Sequence, residues 1–258
     1  MALLNNQDVA LGGTSFISSA SQQFELGTRG YTRDGCVFRY VSAGGVALVA
    51  GEVIQSPATI AGHLTRAVHT TSQTAFGQTV ISLTCGSVCA AQFYNEGYLI
   101  IASGAGQGLR YQIKNHPAVS TGATGAFTLY DEEGLAVAIT STSTVSLIPN
   151  KYAGVIEAPV TTATGVIVGV ACYPIGVTQF GWLQTWGVAA VRGGDTNAIG
   201  TAVDGVASTA GRARGWVQAA SGVTTNFLGS VATGQPIGYL LQTNVDGQFV
   251  AIDLRIAP

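Results

Sequence analysis

An all-β protein is what this sequence predicts, on three observations. Apolar and polar residues alternate over short runs, which is the period of a half-buried strand. Glycine, 35 of 258 residues, punctuates those runs at the spacing of turns. No window carries a helical apolar stripe longer than two turns.

The elements follow in chain order. Residues 1–24 carry a single charge, Asp8, and no sustained period. They read as a flexible terminus or as an arm lying on a neighbouring subunit. The low charge favours the arm, because solvated tails usually carry more. Alone, such a segment cannot offset an ordering entropy of roughly 1–2 kcal/mol per residue, so it is expected to order only against a neighbour. Next, "GTRGYTRDG" (27–35) gathers Arg29, Tyr31, Arg33 and Asp34. These residues either decorate a loop or set orientation against a partner, and they are the candidate partner contacts.

A first β domain, 25–150, is expected from several runs. "CVFRYV" (36–41) and "TVISLT" (79–84) alternate, with a Gly44–Gly45 turn between them. "AFTLYD" and "LAVAIT" flank Glu132–Glu133–Gly134 as a predicted hairpin, and "TVSLIPN" stops at Pro149. The best helix candidate is short, "SVCAAQFYNEG" (87–97), closing on Gly97. After "PNKYAG" (149–154) charge thins and glycine spacing tightens. Residues 151–258 therefore read as a C-terminal small β-barrel or sandwich, with Asp246–Gly247 as the strongest hairpin turn.

Charge bounds the partners. Only 9% of residues are Asp, Glu, Lys or Arg, against roughly 25% in a typical soluble domain. A net charge of -2 offers no electrostatic case for nucleic acid or an acidic membrane surface. No run approaches the roughly 18–20 apolar residues of a spanning helix. The start lacks a basic n-region and a continuous h-region, so synthesis without Sec export is expected. A surface this poor in charge favours association, and a homo-oligomer, most simply a trimer, is expected.

Site chemistry is sparse. In "GYLIIASGAGQGLRYQIK" (97–114), Gly104 and Gly106 begin a dinucleotide fingerprint, but position 109 is leucine. The following "LRYQIK" alternates like a strand, so the glycines are read as a hairpin tip. His63 and His69, on one strand face, would sit roughly 20 Å apart. His116, before Pro117, reads as a surface residue. Asp131, Glu132 and Glu133 fall at a solvated tip, poorly placed for acid–base work. Trp182, Trp186 and Trp216 form either core or a sugar platform, and core is the simpler use. Cys85 and Cys89 would be roughly 13 Å apart in an extended segment, too far for a bridge, with no histidine nearby in sequence. With Cys36 and Cys172 they are read as reduced, mostly buried residues. No cofactor, metal or catalytic residue is expected, and the protein is read as non-enzymatic.

Several phrases carry a resemblance. "ELGTRGYTRDGCVFRYVSAGGVALVAGEVIQSP" (25–57) resembles the opening of a family of tailed-bacteriophage head decoration (cement) and virion structural proteins. "NEGYLIIASGAGQGLRYQIKNHPA", "LIPNKYAGVI", "VIVGVACYPI", "FGWLQTWG" and "IGYLLQTNVDGQFVAIDL" extend it over nearly the whole chain from Glu25. The resemblance implies β-rich subunits, often trimers, that bind the major capsid protein on the outer head surface and strengthen the lattice. It implies no enzyme activity and no cofactor. A carbohydrate-binding β module, or a tail or fibre component, is the alternative.

Overall fold

The structure, a computed structural model, describes residues 8–68, 75–160, 163–194, 196–205, 209–215, 235–243 and 245–258. His69, Trp216 and the first seven residues of the expected arm lie outside them. The class is the expected one: the described residues form strands and turns, with two short 3-10 turns and no α-helix.

The chain divides into two compact units, Met1–Ala58 with Lys151–Pro258, and Thr59–Asn150. A change in texture near residue 150 was visible in the sequence, and a boundary lies there. Residues 25–58, grouped above with 59–150, instead belong with the C-terminal part. The reason is non-local pairing: Val37–Ser42 runs antiparallel along Phe180–Trp186, and Val53–Gln55 pairs with the 156–157 and 167–170 strands.

In the 59–150 unit, six strands form one sheet in the spatial order Arg66–Ala67, Thr144–Ile148, Tyr98–Ser103, Arg110–Asn115, Thr124–Leu129 and Val80–Thr84. A bridge between Val68 and Leu83 ties its two ends, so the sheet nearly closes into a barrel. Burial alternates along each strand, and the inward residues (Ile81, Leu83, Leu99, Ile101, Ile113, Phe127, Val145, Leu147) form its core. The barrel-like element thus lies in the middle of the chain, outside residues 151–258.

Two local expectations fail in this unit. "LAVAIT" forms no strand, because Thr124–Leu129 takes Val80–Thr84 and Arg110–Asn115 as its partners. Residues 87–97 form turns where a helix was expected. Their backbone groups bond across to the 113–119 stretch: Cys89 pairs with Val119, and the Gln92 N–H donates to the His116 carbonyl. Tertiary partners override a weak helical propensity.

The glycine-rich stretch is a hairpin, with Tyr98–Ile100 paired antiparallel to Arg110–Gln112. Gly106 at its tip has φ +78°, and a Cβ there would meet Ile101 Cδ1 at 2.9 Å. Gly106→Ala is therefore expected to cost more than the ~1–2 kcal/mol of left-handed strain alone, read as a lower urea midpoint. A midpoint unchanged from wild type would show that the tip relaxes freely.

In the other unit the 13-residue strand Phe180–Arg192 is the spine. Its first half pairs with Val37–Ser42 and contacts Ile167–Ala171; its second half pairs with Phe249–Arg255. The sheet continues through Pro236–Leu240 to Ala202–Asp204 and Arg214–Gly215. One face of this part is core, with Ala189, Val191, Ile237, Leu240, Val250, Ile252 and Leu254 packed together.

The N-terminal segment corrects the arm expectation, because residues 8–24 pack on their own subunit. Val9–Ala10 runs parallel to Gly30–Tyr31, and Ser19 bridges to Phe180. Leu11, Phe16 and Phe24 join Phe38, Tyr40 and Trp182 in one cluster. Phe24 lies 5.3 Å from the Tyr40 ring and 5.4 Å from Trp182, centroid to centroid. Gly30 permits this: a Cβ there would come within 2.7 Å of Leu11 and 2.8 Å of Trp182. Periodicity missed the segment because its apolar residues cover an existing core irregularly.

Candidate functional site

The expected partner-contact residues are brought together only in part. Arg29 and Tyr31 lie on the Arg29–Tyr31 strand, and the Thr32–Cys36 turn joins it to Val37–Ser42. Gly35, at φ +85°, makes that turn possible. Arg29 is committed within the chain, with Nη1 2.6 Å from Asp8 Oδ2. Tyr31, Arg33 and Asp34 are exposed. Asp34 accepts a hydrogen bond from the Thr32 hydroxyl, which with the Cys36 thiol holds its carboxyl below its ordinary pKa. Arg33 and Asp34 line an open surface cleft of about 620 Å³ together with Leu11, Gly12, Gly13, Phe16 and Thr32. The tip thus presents a tyrosine, a cation and an anion beside an apolar wall.

A second surface was not legible in the sequence. On the solvent side of the Phe180–Arg192, Phe249–Arg255 and Pro236–Leu240 strands, register places Val188, Asp253 and Tyr239 side by side. Ala190 pairs with Ala251 and Arg192 with Phe249 on the same side. Val188 is 58% exposed, Phe249 53%, Tyr239 47%, and Leu241, just past the strand, 44%. Charge on this face is mostly self-paired: Arg255 bonds Asp253 at 3.0 Å and lies over the Tyr239 ring. A flat sheet face of this composition is poorly hydrated and suited to burial.

Glu52 is a buried carboxyl in this unit whose charged form its surroundings oppose. Its carboxylate accepts the Val49 N–H at 2.9 Å and lies 3.9 Å from Arg192 Nη1. Burial nevertheless pushes its pKa up, and the charge of Glu157 adds to that. A raised carboxyl pKa means that the folded state holds the proton more tightly. The stability this gives is complete below the unfolded value, roughly 4.3, and is lost as pH rises through the folded value. Glu52→Gln is expected to melt higher than wild type at pH 8, with the difference vanishing in acid. An equal difference at both pH values would contradict this.

The aromatic and histidine expectations divide. Trp182 is core, as the simpler reading had it, and a bulge between Gln184 and Trp186 removes the shared face with Trp186. Asp131, Glu132 and Glu133 are exposed, but on a turn that is no hairpin. His116 is not a surface residue: it is 2% exposed and stacks on Phe127 at 4.9 Å. Its Nε2 accepts the Tyr94 N–H at 2.9 Å and its Nδ1 lies 2.9 Å from the Pro117 carbonyl. Burial lowers its pKa.

Cys85 and Cys89 are free and buried, but the segment joining them is not extended. The chain bends after Val80–Thr84, so Cys85 and Cys89 both face the barrel core. Cys85 is held by the Ala123 carbonyl and Cys89 by two backbone bonds to Val119. His63, on the Ala61–His63 turn, reaches them, and the ligand atoms of His63, Cys85 and Cys89 all lie within 4.8 Å of one another. Its Nε2 is 3.0 Å from the Ser87 carbonyl and its Nδ1 2.6 Å from the Tyr94 hydroxyl. Burial pushes the Cys89 thiol up to about 12, so it is no nucleophile. The only sequence trace of the cluster is the Cys-x3-Cys spacing.

Comparison of the chain with protein families, with curated proteins and with solved structures finds no match.

Proposed function

We propose that this protein is a non-enzymatic structural component of a tailed-phage virion, a decoration protein that binds the outer face of the head and bridges capsid subunits. The observation that carries the reading is the exposed Val188–Tyr239–Phe249 sheet face, in a chain with only 9% charged residues. Such a face stabilises a protein by being covered, and a lattice of identical subunits covers it repeatedly. The resemblance of residues 25–57 and the later phrases to phage decoration proteins supplies the particular setting. The Tyr31–Arg33–Asp34 tip adds the polar groups that orient one subunit on its neighbour.

The subunit associates with itself, most simply as a trimer, through the apolar face, leaving the tip for the major capsid protein. Light scattering at micromolar concentration is expected to show an oligomer, and Val188→Glu with Phe249→Glu to reduce it to the 26.3 kDa chain. The oligomer is expected to co-sediment with expanded heads built from the major capsid protein of the same phage. A monomeric wild type that ignores expanded heads would overturn the proposal. Binding on a glycan array in its place would favour a carbohydrate-binding module.

A further inference from the structure

We infer that the 59–150 unit holds a metal site: His63, Cys85 and Cys89 bind one thiophilic divalent cation, zinc by preference. Three observations lead there. The first is the convergence itself, two thiols and an imidazole, all buried, at the barrel core. Zinc at about 2.3 Å from sulfur and 2.0–2.1 Å from nitrogen sets its ligands roughly 3.5–3.8 Å apart. The present separations, up to 4.8 Å, need a contraction of about an ångström.

The second is the orientation of His63. A backbone carbonyl only accepts, so the 3.0 Å contact to Ser87 places the proton on Nε2 and leaves the Nδ1 lone pair facing inward. An imidazole whose far N–H is fixed by a carbonyl is the usual arrangement behind a metal-binding histidine. Here the carbonyl belongs to the loop that joins the two cysteines, so ligand loop and histidine hold each other in place. The Tyr94 hydroxyl now donates to Nδ1. On metal binding it yields that lone pair and stays in the same core cluster as the two cysteines.

The third is charge. Binding replaces two S–H protons with one divalent ion: two thiols and Zn²⁺ give a bis-thiolate complex and two released protons, with no change of oxidation state. The product carries no net charge, which a barrel core tolerates. His116 supplies no ligand, because its Nε2 lone pair accepts a backbone N–H, from Tyr94, and its Nδ1 carries the proton. It holds the Tyr94 backbone in place, with Nδ1 3.8 Å from Cys89 Sγ. The fourth position is left to a water molecule.

The test uses the full chain, reduced and stripped with a chelator. Zinc titration against a chromophoric chelator is expected to show one tight site per chain, with nearly two protons released at neutral pH. Cobalt in place of zinc is expected to give a thiolate-to-cobalt charge-transfer band. Cys36→Ala with Cys172→Ala should leave that band unchanged, while Cys85→Ser or Cys89→Ser should abolish it. Because those two variants risk the fold, the wild type also carries the test: zinc should raise its melting temperature and shield two thiols from a thiol reagent. A folded, reduced wild type with no stoichiometric zinc and no charge-transfer band would overturn the inference. So would a band that survives loss of Cys85 or Cys89 but disappears with Cys172.

Discussion

Deletion of residues 1–24 is expected to destabilise the protein severely. The segment contributes Leu11, Phe16 and Phe24 to the cluster around Tyr40 and Trp182. Phe16 lies 5.2 Å from the Phe38 ring and 5.8 Å from Tyr173. Fully burying an apolar side chain of this size contributes about 1.5–3 kcal/mol; with Leu11 buried and Phe16 and Phe24 partly buried, the three together contribute at most about 5 kcal/mol. At about 2–4 °C per kcal/mol for a chain of this size, the truncated protein should melt up to about 10–20 °C lower, or fail to fold. Phe24→Ala alone tests the same cluster more gently, at less than the ~3 kcal/mol of a fully buried phenylalanine because Phe24 is partly buried. An arm ordered only by a neighbour predicts the opposite, an unchanged melting temperature with weaker attachment to heads. Calorimetry on the isolated truncated subunit decides between them.

Arg214→Met is expected to produce the next largest loss. Asp204 is 1% exposed and sits opposite Arg214 in the strand register. The guanidinium meets both carboxylate oxygens, Nε to Oδ1 at 3.3 Å and Nη2 to Oδ2 at 3.2 Å. Removing the cation takes the Arg214 counter-charge from a buried carboxylate, at about 3–5 kcal/mol. Since Arg214 is itself a quarter exposed, the lower end is expected. Replacing both residues, Asp204→Leu with Arg214→Met, should recover most of the loss, because no charge then remains to be desolvated. Urea unfolding of the two single variants and the double variant gives the coupling directly. A double variant as unstable as Arg214→Met alone would show that the loss comes from packing and not from charge.

Neither target was visible in the sequence as an energetic feature, and the reason is the same in both. Asp204 and Arg214 sit ten residues apart in a Gly- and Ala-rich stretch with no pattern to pair them. Leu11, Phe16 and Phe24 follow no period because they cover a core made by the 37–42 and 180–186 strands, and a cover needs only apolar contact at irregular points. His63, Cys85 and Cys89 meet because the chain bends after Thr84, and an extended reading of "CGSVC" sends the sulfurs apart.

Short-range patterns set a good deal by themselves. Alternation in "TVISLT", "LRYQIK" and "TVSLI" determined three strands and their buried faces, since a period of two leaves no other way to bury one side. Leucine at position 109, followed by that alternation, was enough to make the 104–108 glycines a turn. Scarce charge marked the chain as one whose surface is suited to cover. Tertiary structure alone decided which strands pair, that the 59–150 segment nearly closes into a barrel by itself, and that residues 8–24 belong to the subunit's own core. Pairing between distant strands rests on backbone hydrogen bonds and shape complementarity, which every β-strand offers alike. The local sequence therefore carries almost no record of the partner.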